Sequence, residues 1–301
     1  MIPPGEGDPA KPRPMSIEIQ RQMAMEAIRA TKIWKACWPI WEPEVLKRSD
    51  DLSNPAKVFE LGSQLREIFL LTNTGTRDQS GVSGAGSAWE CLVCWYLNLV
   101  FAGTNAVAMR QSRKVVPSAL MEATTITYGN YQTNTESDLC VIVYPDGFEF
   151  PAEEKNYLDN LNIEILKRLG EIELGIIQCK TNWNENAQIP MLWDMVYHSN
   201  FESKSRIKIG RNGRSTKNLK KFSYAFVTVP TQKTQFKPTQ MPVKRTSNLS
   251  GGNYWGKTSS DAALSVSEIF MNNFQSAFGR KQIQESISRS IDSNHELFIR
   301  P

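Results

Sequence analysis

No stretch of about 18 or more apolar residues occurs in this chain, the longest candidates being broken by Glu90, Asn98 or Pro145, which excludes an ordinary membrane-spanning helix. Histidine is nearly missing, with only His198 and His295 in 301 residues. The pair Cys91 and Cys94 therefore has zinc-like spacing but no second pair to complete a site, and packing within a helix suits it better. The five cysteines (Cys37, Cys91, Cys94, Cys140 and Cys179) are odd in number and sit in apolar surroundings, unlike a disulfide framework. The opening MIPPGEGDPAKPRP lacks the apolar region of a secretory signal and reads as a loose arm over 1–15, so a cytoplasmic protein with no membrane partner is expected. An excess of either charge is also missing: the formal net charge of +4 identifies no partner by itself. Neither an internal repeat nor a clear linker divides the chain.

What is present suffices for one large domain, since about two-fifths of the residues are hydrophobic. Ile17, Ile19, Met23, Met25, Ile28, Ile33 and Trp34 recur at near-helical spacing after Ser16, which predicts a helix from Ser16 to Trp38. Asn54 and Pro55 are a good N-cap and first-turn pair for a second helix ending near Leu71. The stretch TNTGTRDQSGVSGAGS, 72–87, lacks the lysine and hydroxyl of a Walker loop and is expected to be a flexible loop that closes on a ligand. From Ser87, SAWECLVCWYLNLVF is apolar nearly all round and predicts a buried helix. Short strands follow: VAMRQ, ATTITYG, DLCVIVY, IELGIIQCK and FSYAFVTVP, with a polar helical insertion over 151–171 and an amphipathic tail over 261–278. The expected fold is one α/β domain. It comprises a helical part (16–86), a core (87–200) with a mixed central sheet flanked by helices, loops and a strand (201–260), and a helical C-terminal part (261–301).

Charge is unevenly placed. Between Lys204 and Lys221 stand Lys204, Arg206, Lys208, Arg211, Arg214, Lys217, Lys220 and Lys221 with no acid, which suits an anionic polymer or, as simply, a solvated loop. Lys237, Lys244, Arg245, Asn253, Tyr254 and Lys257 form a second such stretch, and Arg110, Arg113 and Lys114 a third.

Three polar residues interrupt apolar elements where packing alone would not choose them. Glu90 lies on the buried helix, Asp138 opens DLCVIVY, and Lys180 closes LGIIQCK. Strand alternation puts Gln178 and Lys180 on one face and Cys179 on the other, so Asp138, Gln178 and Lys180 converge if the two strands are neighbours. A carboxylate, an amide oxygen and a main-chain carbonyl are hard ligands for Mg²⁺, and an ammonium steadies an attacking water beside a phosphate. For Asp138 and Lys180 the competing reading is a structural ion pair at a strand edge, and for Glu90 an exposed turn of its helix. Asn182, Asn184, Asn186 and Gln188 follow Lys180 at once, able to bind phosphate oxygens and adenine edges or, for the last two, to cap a helix near Pro190.

Asp138 at a strand start, followed by Gln178-Cys179-Lys180 at the end of the next strand, resembles the PD-(D/E)xK nuclease superfamily, and its type II restriction endonucleases above all. The helix carrying Glu90 resembles the first core helix of such enzymes. The resemblance covers roughly Ser87 to Tyr197. It implies a restriction-endonuclease-like core that cleaves double-stranded DNA with Mg²⁺ at a specific sequence, commonly as a homodimer, with a cognate DNA methyltransferase encoded nearby. Asp138, Gln178, the Cys179 carbonyl and Glu90 would hold the metal, and Lys180 would orient the water. The chain departs from the pattern at Gln178, where an acid is usual, although the endonuclease subunit of certain transposases also carries glutamine there. The literal Pro145-Asp146 lies in a turn sequence, YPDGF, and is set aside. Another nuclease of the superfamily acting in transposition, junction cleavage or repair, and a DNA-binding protein without catalysis, are the competing functions. A Cys179–His198 hydrolase is a distant third.

Overall fold

The computed structural model describes residues 16–72, 79–112, 114–133, 138–151, 155–181, 207–229 and 266–278, together with 237, 239–241, 244, 283–284, 287 and 296–299. Four helices come first: α1 (Ser16–Arg29), α2 (Lys32–Ser49), α3 (Pro55–Leu70) and α4 (Gln79–Phe101). The single helix expected from Ser16 to Trp38 is in fact two. Thr31 adopts an extended backbone, its hydroxyl accepts from Trp34 N at 3.2 Å, and so it ends one helix and caps the next. The break turns Trp34 and Trp38 to stack at 4.6 Å, with Trp95 of α4 5.2 Å from Trp38. Helix α2 then runs on through Pro39 and Pro43. Each proline costs about 3 kcal/mol in a helix interior, and burial of Trp38, Trp41 and Val45 offsets it.

Helix α3 starts as expected, with Asn54 Oδ1 accepting from Ala56 and Lys57 N. Helix α4 begins at Gln79, eight residues before Ser87, so the second half of the expected glycine-rich loop is helical. Glycine weakens a helix by about 1 kcal/mol, whereas the run from Cys91 to Ala102 is buried throughout and carries the added turns. Its Asn98 acts as a surrogate strand edge, the amide donating to Ala108 O at 2.7 Å and accepting from Ala108 N at 3.1 Å.

Those bonds dock α4 on β1 (Ala106–Arg110). After it come α5 (Ser118–Ala123), β2 (Ile126–Tyr128), β3 (Tyr131–Thr133), β4 (Leu139–Val143), α6 (Tyr157–Lys167), β5 (Glu173–Lys180), β6 (Ile207–Ile209), β7 (Lys221–Thr228) and α7 (Glu268–Asn273). The main sheet has the order β1-β4-β5-β7, antiparallel except for the parallel pair β5 and β7. It is a mixed four-stranded sheet flanked by helices. Alternation divides its side chains between two cores. Leu139, Val141, Ile177, Cys179 and Val227 join α2, α3, α4 and α7, whereas Cys140, Ile142, Leu174, Ile176 and Tyr224 join α5 and α6. A separate small antiparallel sheet has the order β3-β2-β6. The strand expected over 123–129 is shorter than its β-rich composition suggests, because α5 claims Ala123. Among the described residues no helix is long and apolar enough to cross a membrane.

The C-terminal segment locks onto this sheet through Gly175. A Cβ there would lie 2.3 Å from Phe274 Cζ and 3.1 Å from Ser223 Oγ. Gly175→Ala is therefore expected to destabilise the fold by about 2 kcal/mol through overpacking, measured by urea denaturation with an unchanged slope. A loss too small to detect would mean that Phe274 does not press on β5.

Candidate active site

Strand lengths create the site. The β4–β5 ladder ends at Leu139 opposite Ile177, so one further step puts Asp138 opposite Gln178 and leaves Cys179 beyond the end of β4. The Cys179 N–H, directed toward the missing neighbour, is taken instead by Asp138 Oδ2 at 2.7 Å. A residue's N–H and C=O point to the same side of an extended strand, so the Cys179 carbonyl is directed past the end of β4 as well. Asp138 is tied from behind by Gln111 N, which donates to its carbonyl at 3.0 Å. On the other flank Lys180 O accepts from Val229 N at 2.9 Å.

Alternation sets Asp138, Gln178 and Lys180 on the α6 face of the sheet and Cys179 on the α4 face. Gln178 is only 2% exposed and lies beneath the rim, while Asp138 and Lys180 are half-buried at it. Burial pushes the Asp138 carboxyl above its ordinary value, against the pull of the Lys180 charge, the Cys179 N–H and Arg110.

Glu90 reaches the same end of the sheet from α4. Its Oε2 accepts from Arg110 Nη2 at 2.6 Å and Nε at 3.2 Å, and Arg110 Nη2 also donates to Ser87 Oγ at 3.0 Å. Burial raises the Glu90 pKa, as does the negative charge of Asp138, while Arg110 and Lys180 act in the opposite sense. The four residues thus form one electrostatic cluster of two acids and two bases. Arg110, expected on the DNA surface, is engaged by Glu90 and Ser87 instead. Sequence reasoning missed this because Arg110 shares its face with Ala106 and Ala108, under α4, and that pairing depends on which helix covers β1.

As oxygen donors the site offers the Asp138 carboxylate, the Gln178 amide and the Cys179 carbonyl. These hard, small groups fit a Mg²⁺ that keeps several waters. Among the described residues no three His, Cys, Asp or Glu side chains form a metal-holding group. Glu90 Oε2 is engaged by Arg110 at 2.6 Å.

The remaining candidates scatter. Arg214, expected to meet phosphate, pairs with Glu122 at 2.6 Å. Lys114, Lys208, Lys217, Lys237 and Lys244 are exposed, and Arg211 is half-buried. Arg113, Asn182, Asn184, Asn186, Gln188, Arg245, Asn253, Tyr254, Lys257 and His198 lie outside the described residues. Pro145 and Asp146 belong to a turn closed by Phe148 N on Pro145 O at 3.2 Å. That turn follows the Val143–Glu173 end of the ladder, seven residues along β5 from Lys180, or roughly 23 Å.

All five cysteines are buried, and burial raises the Cys179 thiol well above its ordinary value and Cys91 to about 11. The native chain is therefore expected to react with a thiol-specific reagent only on unfolding, keeping whatever activity it has. Rapid loss of activity with modification of Cys179 would revive a cysteine hydrolase.

No protein-family model matches the chain, and no match is found among curated proteins.

Proposed function

We propose that the chain is a sequence-specific, Mg²⁺-dependent DNA endonuclease of the type II restriction kind, with a restriction-endonuclease-like core. The observation that carries this reading is the hydrogen bond from Cys179 N–H to Asp138 Oδ2, at a strand end where Lys180 lies on the same face. A structural ion pair would have no need to gather a carboxylate, an amide and a strand-end carbonyl around one point.

In this mechanism Asp138, the Gln178 amide oxygen and the Cys179 carbonyl would hold the metal. When bound, Mg²⁺ acidifies water and offsets charge on the phosphate. Asp138 is fixed by its bond to Cys179 N–H, so the donor set is ordered before substrate arrives. Lys180, at the half-buried rim, orients the attacking water by donating from its ammonium to the water oxygen, and it offsets charge developing on the phosphate. Arg110 holds the Glu90 carboxylate close enough to add negative potential without competing for the same ion. Action on duplex DNA as a homodimer, with a methyltransferase protecting the host sites, completes the proposal.

The neutral, buried Gln178 supports a second reading, a superfamily nuclease that works with a partner, since the site has one carboxylate fewer than usual. The test is incubation of the folded protein with Mg²⁺ and varied plasmid and phage DNA. Discrete fragments with shared ends are expected. Intact DNA throughout would sink the restriction reading, and cutting only of branched substrates would select the second.

A further inference from the structure

One acid of the cluster is clasped and the other is half free. Glu90 Oε2 accepts from Arg110 Nη2 at 2.6 Å and from Nε at 3.2 Å, while Ser87 Oγ accepts from the same Nη2 at 3.0 Å. The Arg110 and Glu90 side chains are only 28% and 20% exposed, where a charge-assisted contact of this kind is strong. Glu90 Oε1 accepts no hydrogen bond among the described residues. The same holds for Asp138 Oδ1, whose twin Oδ2 is taken by the Cys179 N–H. Lys180 closes no ion pair with either acid among the described residues, although its charge reaches both.

The ladder puts the clasp beside the metal-binding acid. Arg110 stands opposite Leu139, the residue next to Asp138, and Gln111 donates to the Asp138 carbonyl. A clasp that served only to fasten α4 to β1 would not need this place, since Asn98 already joins those two elements through Ala108.

We infer that Arg110 is a latch on metal affinity, holding Glu90 back from the ion until a DNA phosphate takes the guanidinium. The inference rests on the nuclease reading and adds to it the order in which the site is loaded. Glu90 Oε2 cannot serve the guanidinium and a small hard cation together without setting two positive charges side by side. With the latch closed, the carboxylate within reach of the ion is that of Asp138, and Arg110 and Lys180 both oppose a further positive charge. A phosphate can replace Glu90 on Arg110, because its oxygens match the guanidinium fork as a carboxylate does. The exchange frees Glu90 as the phosphate arrives, so metal and duplex favour each other's binding, and the coupling is reciprocal.

The test titrates Mn²⁺ into the full chain without DNA, read by calorimetry and by the spin-resonance signal of free Mn²⁺. Arg110→Gln is expected to bind the ion about tenfold more tightly than the wild type. Adding Glu90→Gln to it should return the affinity to the wild-type value. Arg110→Lys keeps the charge and loses the fork, and is expected to tighten binding about threefold. Where Arg110→Gln fails to fold by circular dichroism, Arg110→Lys carries the comparison alone. Arg110→Lys matching the wild type makes any gain in Arg110→Gln an effect of bulk charge and overturns the latch. In the Lys180→Ala chain, Mn²⁺ should raise the affinity for mixed-sequence duplex about fivefold more with Arg110 present than with Arg110→Gln, read by anisotropy at constant ionic strength. Equal rises overturn the latch. A wild-type chain that cuts DNA, with Mn²⁺ held no more tightly by either Arg110 variant, overturns the latch and leaves the nuclease reading standing. Mn²⁺ bound by none of the chains, with no cutting by the wild type, overturns both.

Discussion

Lys180→Ala is expected to lower Mg²⁺-dependent cutting by about 1,000-fold while duplex affinity stays within about threefold. The ammonium sits at the last position of β5, on the face of Asp138 and at the rim rather than in the core, so its removal leaves no cavity of consequence. Binding should survive because phosphate contacts are spread over many cations, each supplying a small share. The measurements are single-turnover cleavage and anisotropy on the same preparation. If Lys180 served only as the counter-charge of Asp138, the variant would melt earlier and lose cutting merely in proportion to its unfolded fraction. A folded Lys180→Ala protein that still cuts at the parent rate would remove lysine from the chemistry.

The second large effect is a separation of stability from activity at Asp138. Asp138→Asn keeps an oxygen to accept the Cys179 N–H and deletes the charge. Cutting is expected to fall by about 1,000-fold. The melting temperature is expected to stay level or rise, for a reason the pKa direction supplies. Burial raises the Asp138 carboxyl in the fold, so between its ordinary and raised values the folded chain binds the proton that the unfolded chain has released. Stability contributed by this group therefore declines as pH rises through that window and gains as pH falls back through it. At neutral pH the carboxylate opposes folding, and the neutral amide relieves the cost. A residue kept for an ion pair would behave in the opposite way. A melting temperature several degrees lower for Asp138→Asn at neutral pH would support that structural role and count against the catalytic one.

Much of this arrangement was legible in the order of residues. The continuous apolar run from Leu139 to Val143, the apolar stretch ending at Lys180 and the aromatic and β-branched Lys221–Thr228 segment each announce a strand, because a sheet covered on both faces buries nearly every side chain. Side-chain alternation along a strand likewise puts Cys179 and Lys180 on opposite faces. The helical N-terminal part was legible as helix but not in its breaks. Thr31 splits it and Pro39 and Pro43 do not, because the packing of Trp34, Trp38 and Trp41 decides which local cost is tolerated.

Other features depended on which elements meet. Asn98 reads as a polar flaw in a buried helix until β1 supplies its partner. Arg110 and Arg214 read as free cations until Glu90 and Glu122 arrive from elsewhere in the chain. Residue order alone sets the strand faces, the buried helix and the short list of acid, amide and ammonium, since periodicity and desolvation act within a few residues. That β4 stops two residues short of Cys179, and that Asp138 fills the gap, emerges only on folding, because ladder register and strand length arise from pairing between segments about forty residues apart.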